Sequence, residues 1–202
     1  MRLFLAVVVA STACGRGDGS PAPPSDDPHQ ARFEQERAPD AIVAALGLQP
    51  GWLVADVGAG NGRMTVYLGR AVAPNGHVVA TDIDSEVLEH YLQPTIAEAA
   101  LTDIVEPRVV DADTPGLEDG SYDAILLADV DHCFDELRGG RVAWLAKAAR
   151  ALEPTGVLVI SNHTEEHARS LAAALDAGFM LDSEPAATPT HFISVFRVSG
   201  VH

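Results

Sequence analysis

The stretch Leu53-Val-Ala-Asp56-Val-Gly58-Ala59-Gly60-Asn61-Gly62-Arg63-Met64-Thr65 decides the fold of this chain. An apolar run ends in an acid, a glycine loop follows at once, and sequence suited to a helix begins directly behind it. Glycine at 58, 60 and 62 lets the backbone take turns closed to other residues and lets a ligand approach the main chain closely. A helix starting behind such a loop points free N–H groups at whatever sits there. A dinucleotide-binding loop would carry its third glycine at position 63, where this chain has Arg63, so the pattern is D-x-G-x-G-x-G. An acid at 56 repels a pyrophosphate and attracts an ammonium group.

A second acid stands where one ligand would need both. The chain continues His77-Val-Val-Ala-Thr-Asp82-Ile83-Asp84, an apolar strand ending in a carboxylate 22 positions beyond Gly60. In a strand-helix-strand unit the ends of adjacent parallel strands lie side by side, so Asp82 can accept hydrogen bonds from both hydroxyls of a ribose. An ammonium near Asp56 and a ribose near Asp82 point to S-adenosylmethionine ahead of NAD or ATP. A single Asp at a strand end is as often a helix cap, and three glycines alone mark a turn. Only their order and spacing together carry the reading.

The 202 residues divide into an unusual first thirty and a remainder of about 170, enough for one domain, 31–202, with a sizeable core. Thirteen Lys and Arg against 29 Asp and Glu give a formal charge of −16. With no basic stripe to interrupt it, such a surface repels phosphate backbones and excludes a nucleic-acid partner. At the N-terminus, Arg2 precedes the apolar Leu3 to Ala10 and the small Ser11-Thr12-Ala13, ahead of Cys14. This resembles a bacterial lipoprotein signal, 1–14, whose Cys14 would carry lipid. Residues 15–30, rich in Gly, Pro, Ser and Asp, would be a flexible tether. The expectation is a cell-envelope protein that meets membrane only through that lipid. A misplaced start would instead make it cytoplasmic. Cys133 is then alone, and a lone cysteine is ordinarily a small buried hydrophobe.

Periodicity places a short helix at 39–48, strands at 52–57 and 77–82, and helices at 62–73 and 85–100, the last interrupted by Pro94. Further strands are expected at 105–111, 122–129 and 156–161, with helices at 135–152 and 165–177. The strands at 179–184 and 191–198 are too close for a crossover helix and must be antiparallel. The result is an α/β fold: a Rossmann-like, open, mostly parallel seven-stranded sheet with helices on both faces and a C-terminal antiparallel hairpin strand.

Four stretches are similar to those of the class I S-adenosylmethionine-dependent methyltransferases: Val54 to Gly62, Val79 to Asp84, Val110-Asp-Ala-Asp113 with Glu118 to Asp123, and Leu152-Glu-Pro-Thr-Gly156. The resemblance spans roughly 40–198. It implies that Asp56, Gly58, Ala59, Gly60, Asn61 and Gly62 hold the methionine part of the cofactor and that Asp82 holds the ribose. It also implies that Ile83 lies against adenine, whose amino edge meets Asp111 and Ala112. The usual Pro-Gly-Gly before the fifth strand is Pro154-Thr-Gly156 here, with one glycine kept at the turn. The chain has no sizeable insertion before its final hairpin and only a short helix before its first strand, the places where members of that family often build a lid, which implies an acceptor pocket that is open or completed by another chain.

Ligands in open α/β sheets bind beyond the carboxyl ends of the strands. There the sequence offers Asp129, Asp131, His132 and Cys133 after the fourth strand, and Ser161, Asn162 and His163 after the fifth. Methyl transfer needs an acceptor held in line with the methyl group and sometimes a base. His132 is the candidate base, and Asp129 the candidate for placing cofactor or acceptor. A magnesium-assisted variant could draw ligands from Asp129, Asp131 and Asn162. His163 and His167, four residues apart, read as a solvated helix start rather than a metal pair. Two functions compete: transfer of a methyl group to a small-molecule acceptor, and a lipid-tethered, non-catalytic binding module that retains the fold. Binding of the cofactor discriminates between them.

Overall fold

The computed structural model describes residues 28–199. The expected signal segment, 1–14, and residues 15–27 of the expected tether lie outside the described residues. In chain order the elements are α1 (Pro28–Arg37), α2 (Pro39–Leu46), β1 (Leu53–Val57), α3 (Arg63–Val72), β2 (His77–Asp82), α4 (Ser85–Val87) and α5 (Gln93–Glu98). They continue with β3 (Val105–Val109), β4 (Tyr122–Ala128), α6 (Gly140–Ala151), β5 (Leu152–His163), α7 (His167–Asp176), β6 (Phe179–Ser183) and β7 (His191–Val198).

The strands form one seven-stranded sheet in the order β3-β2-β1-β4-β5-β7-β6. β7 pairs antiparallel with both β5 and β6, and the other pairings are parallel. This is the mostly parallel sheet with a reversed C-terminal strand that the sequence implies. Side chains alternate between faces with the period of two inherent to a strand. Val54, Val78, Ala80, Leu126 and Val159 pack into one cluster with α2 and α3. Ala55, Val57, Val79, Leu127 and Ile160 pack into the other, with α6 and α7. Covering both faces explains why the strands read as near-continuous apolar runs. Asp123 secures the centre: its carboxylate accepts the Leu53 amide at 2.8 Å, tying the start of β1 to β4.

Several expected boundaries move. β3 and β4 each stop short of the acids assigned to their ends, leaving Asp111 and Asp129 in loops beyond the strands. The helix expected over 135–152 is a 3₁₀ turn, Asp131–Glu136, then α6, whose N-cap Gly139 and first residue Gly140 both lie in the left-handed region. The helix around Pro94 is accommodated by a π-helical turn, Leu88–Leu92, after which Pro94 occupies the first turn of α5. There its missing N–H leaves no hydrogen bond unmade.

The largest correction is α1, whose first residues had been assigned to the tether. Its sequence PHQARFEQER has no apolar stripe for periodicity to detect. Tertiary and i,i+4 contacts hold it instead: Tyr67 Oη donates to Glu34 at 2.8 Å, Phe33 lies 6.4 Å from the Tyr67 ring, and Arg32 pairs with Glu36. The short-helix expectation at the N-terminus therefore misses the element that lies over the cleft. No helix among the described residues is long and apolar enough to cross a membrane.

Candidate active site

Strand order reverses at β1, which pairs with β2 on one side and β4 on the other. Such a switch point opens a crevice beyond the strand ends, and the glycine loop lies in it. Gly58, Gly60 and Gly62 have φ of 70°, 54° and 79°. At Gly58 the demand is also steric, because a Cβ would meet Val130 Cγ2 at 2.6 Å. The loop holds its shape with its own amides. Gly58 and Ala59 both donate to the Thr81 carbonyl at 2.9 Å, Gly60 donates to Asp82 Oδ2 at 2.9 Å, and Gly62 donates to the Ala59 carbonyl at 3.0 Å. These four N–H groups are therefore spent within the protein rather than aimed at a ligand. Asn61 Oδ1 similarly accepts the Arg63 amide at 3.2 Å.

Asp82 also accepts the Asp84 amide on Oδ1 at 3.1 Å. Each oxygen of a carboxylate has a second lone pair, so Asp82 anchors the loop and retains acceptor capacity for ribose hydroxyls. Asp56 is 2% exposed and accepts from Thr65 Oγ1 at 2.6 Å. Burial pushes its carboxyl up to about 6, the Thr65 hydrogen bond opposes the shift, and the nearby Asp82 charge adds to it.

Two cavities flank the loop. The first, about 430 Å³, is lined by Gly58, Asp82, Ile83, Asp111, Ala112 and Asp129, together with Phe134 and Trp144. Its wall is rigid: Phe134 and Trp144 stack with centroids 4.0 Å apart, and Trp144 Nε1 donates to the Ala112 carbonyl at 3.2 Å. Ile83, 64% exposed, presents an apolar side chain at the rim. Thr81 Oγ1 lies buried in the lining without a hydrogen-bond partner among the described residues. The second cavity, about 270 Å³, is lined by Asp56, Gly58, Ala59, Gly60 and Asn61, with Phe33 and Arg37 from α1 and Asp129 from the far side. Gly58 and Asp129 border both cavities. The sequence-assigned residues other than His132 and Gly62 thus line one cavity or the other, and Gly62 caps α3.

His132 is exposed on the 3₁₀ turn and lines neither cavity. Its Nδ1 lies 3.0 Å from Asn162 Nδ2. Asp131 is fully buried, its Oδ2 held by Arg141 at 3.0 Å and Ser170 at 2.6 Å, and its Oδ1 by Asn162 at 2.6 Å. A carboxylate engaged in this way is structural, so the Asp129, Asp131 and Asn162 magnesium set does not assemble. His163 and His167 also part company, the first packing on the His191 ring and the second on Phe192. Cys133 is exposed and lines the larger cavity, contrary to the buried-hydrophobe expectation.

Sequence reasoning missed Arg37, which ion-pairs with Asp129, and His191, which is buried beside it. It also missed the Phe134–Trp144 wall. Only the two aromatic residues, flanking a glycine-containing break, left a signal in the sequence.

Comparison with known proteins agrees with this geometry. The family described as methyltransferase domain matches residues 55–158. A 37.1 kDa protein of transposon TN4556 from Streptomyces fradiae, described as uncharacterized, is 35% identical over 119 residues. That match covers 59% of this chain and 32% of the relative, so the chain spans about a third of the relative's length. Among solved structures, a SAM-dependent methyltransferase from Aquifex aeolicus has a TM-score of 0.74 at 24% identity, covering 86% of this chain and 94% of its own. A SAM-dependent O-methyltransferase from Thermotoga maritima has a TM-score of 0.67 at 18% identity, covering 82% and 66%. The [4+2]-cyclase SpnF has a TM-score of 0.69 at 13% identity, covering 80% of each chain. These likenesses establish the fold; the cyclase illustrates that one fold hosts more than one reaction.

Proposed function

Since this chain belongs to the methyltransferase-domain family, we propose that it moves the methyl group of S-adenosylmethionine to a small-molecule acceptor. The observation that carries the reading is the meeting of two cavities at Gly58 and Asp129. The larger, with its aromatic wall, apolar rim and ribose-facing Asp82, suits an adenosine. The smaller, with buried Asp56 at its base, suits the cationic amino-acid end and leaves room for an acceptor toward α1.

The residues fit the cofactor. Thr81 Oγ1 is an orphaned polar atom in the larger cavity, and Gly58 supplies backbone that a side chain would block. When bound, the cofactor supplies an electrophilic methyl group. The protein's contribution is to hold it: Asp82 takes the ribose, Asp56 faces the ammonium, and Ile83 covers adenine. Asp129, bordering both cavities, is placed to position the acceptor, and positioning supplies much of the rate in such a transfer. His132 stands off both cavity walls, so the reading keeps Asp129 rather than His132 at the transfer point. Attachment to the envelope through Cys14 belongs to the same proposal and rests on sequence alone. The comparisons lend no support to the non-catalytic alternative.

Calorimetric titration of the full chain with S-adenosylmethionine and S-adenosylhomocysteine tests the reading. Micromolar binding is expected, weakened in Asp82→Ala by roughly 1.5–3 kcal/mol, the range for a hydrogen bond to a charged group. A folded parent that binds neither compound overturns it.

A further inference from the structure

Three strand ends bring ligating side chains together beside the cleft. Asp129 follows β4, His163 ends β5 and His191 begins β7. Because β7 runs antiparallel to β5, its first residue pairs with the last of β5, His163 opposite His191. One ligand atom from each of the three lies within 4.8 Å of the others. His191 Nε2 is 3.5 Å from Asp129 Oδ1, and the two imidazole centroids are 4.3 Å apart.

The ring of His191 is held from its Nδ1 side. The Glu36 carbonyl can only accept, so Thr188 Oγ1 donates to it at 3.0 Å. Thr188 Oγ1 accepts the His191 amide at 3.1 Å and lies 3.3 Å from Thr190 Oγ1, which is 2.9 Å from His191 Nδ1. This contact engages Nδ1 and leaves Nε2 turned toward the Asp129 carboxylate. His191 is 4% exposed, and Nε2 has no hydrogen-bond partner among the described residues. A cation placed between Nε2 and the carboxylate would be held by both. Arg37, ion-paired with Asp129, brings positive charge there from α1 but has no hydrogen bond to His191.

We infer that Asp129, His163 and His191 form a binding site for a first-row divalent transition ion of the zinc or cobalt(II) type. Two neutral imidazoles and one carboxylate are the donor set such ions prefer, whereas magnesium favours oxygen alone. In a tetrahedral site with bonds near 2.1 Å, ligand atoms lie about 3.4 Å apart. The His191–Asp129 pair already has that spacing, and the exposed His163 ring has the freedom to close the remaining gap. The Thr190 contact at Nδ1 is the partner that fixes the ring of a metal-binding histidine. Arg37 and the ion compete for one carboxylate, so binding moves the guanidinium off Asp129. Three protein ligands leave a position open to water or to an acceptor atom. Its use by the acceptor rests on the methyl-transfer reading; the ion site does not.

Full-length protein stripped with a chelator and titrated with cobalt(II), followed by visible absorption, gives the test, with zinc calorimetry alongside. One ion per chain is expected, with d–d bands. His163→Ala, an exposed change that leaves the core intact, weakens binding at least tenfold without altering the metal-free melting temperature. His191→Ala does the same or more, Arg37→Met tightens binding, and His167→Ala changes nothing. Absence of cobalt bands overturns the proposal, as does binding that survives His163→Ala and His191→Ala or is lost in His167→Ala. Because no methyl donor is present, the outcome is independent of the titration with S-adenosylmethionine.

Discussion

Asp82 Oδ2 accepts the Gly60 amide at 2.9 Å, so the acid that ends β2 shapes the loop that follows β1. The two strands are in register through Val57 and Thr81, which brings the carboxylate level with the loop. On the proposed reading, loss of this side chain removes a ribose contact and loosens the glycine loop together. The deficit in Asp82→Ala should accordingly exceed that of Asp82→Asn, whose remaining oxygen can still accept the Gly60 amide. Calorimetry on the pair separates the two contributions.

Gly58→Ala places a Cβ 2.6 Å from Val130 Cγ2 at a residue with φ of 70°. Left-handed backbone and steric overlap add, so a loss of roughly 1–3 kcal/mol in chemical denaturation is expected. Cofactor binding should fall by more than the stability does, because Val130 lines the larger cavity.

Asp56 predicts a pH dependence of definite sign. Burial pushes its carboxyl up to about 6 in the folded protein, against 3.8 for an unperturbed aspartate. The folded state therefore holds a proton that the unfolded chain releases, and stability from this group falls as pH rises from about 4 to 6. Asp56→Asn lacks that loss, so above pH 6 it should be more stable than the parent by an amount on the order of 3 kcal/mol. The gap should close toward pH 4. The same variant should bind S-adenosylmethionine weakly at every pH, whereas the parent loses affinity below pH 6 as Asp56 gains its proton. Paired denaturation and calorimetry series from pH 4 to 8 check both halves.

Ile83 is 64% exposed at the rim of the larger cavity. Its side chain has little packing to lose in the free protein, so Ile83→Ala should leave the melting temperature unchanged. If adenine covers it on binding, about 1 kcal/mol of apolar burial is removed, a drop of roughly fivefold in cofactor affinity. A binding constant equal to that of the parent would place adenine elsewhere.

Arg141 is 3% exposed and pairs with fully buried Asp131 at 3.0 Å. Arg141→Met leaves that charge without its counter-ion, and a loss of about 3–5 kcal/mol is expected. Adding Asp131→Asn should return much of it, since a neutral amide can keep hydrogen bonds to Ser170 and Asn162. Urea denaturation of the two single variants and the double variant gives the coupling.

The glycine loop and its two acids were legible because these residues are consecutive or sit at the ends of adjacent parallel strands. Asp56, the glycines and Asp82 occupy positions that strand and turn geometry specify locally. The acceptor half was not. His132 looked well placed as an imidazole after β4, but the 3₁₀ turn carries it to the surface beside Asn162. Asp131 looked like a ligand until the fold supplied Arg141 from a separate helix.

The sequence by itself determined the mostly parallel α/β sheet, its reversed final strand and the glycine loop with two acids, because short continuous apolar runs and glycine-rich turns are local properties. It could not determine α1, whose polar helix is held by Tyr67 and whose Arg37 reaches Asp129. Nor could it bring together Asp129, His163 and His191. That meeting required β7 to enter the sheet beside β5 in the opposite direction, a pairing set by which buried faces fit together over the whole domain.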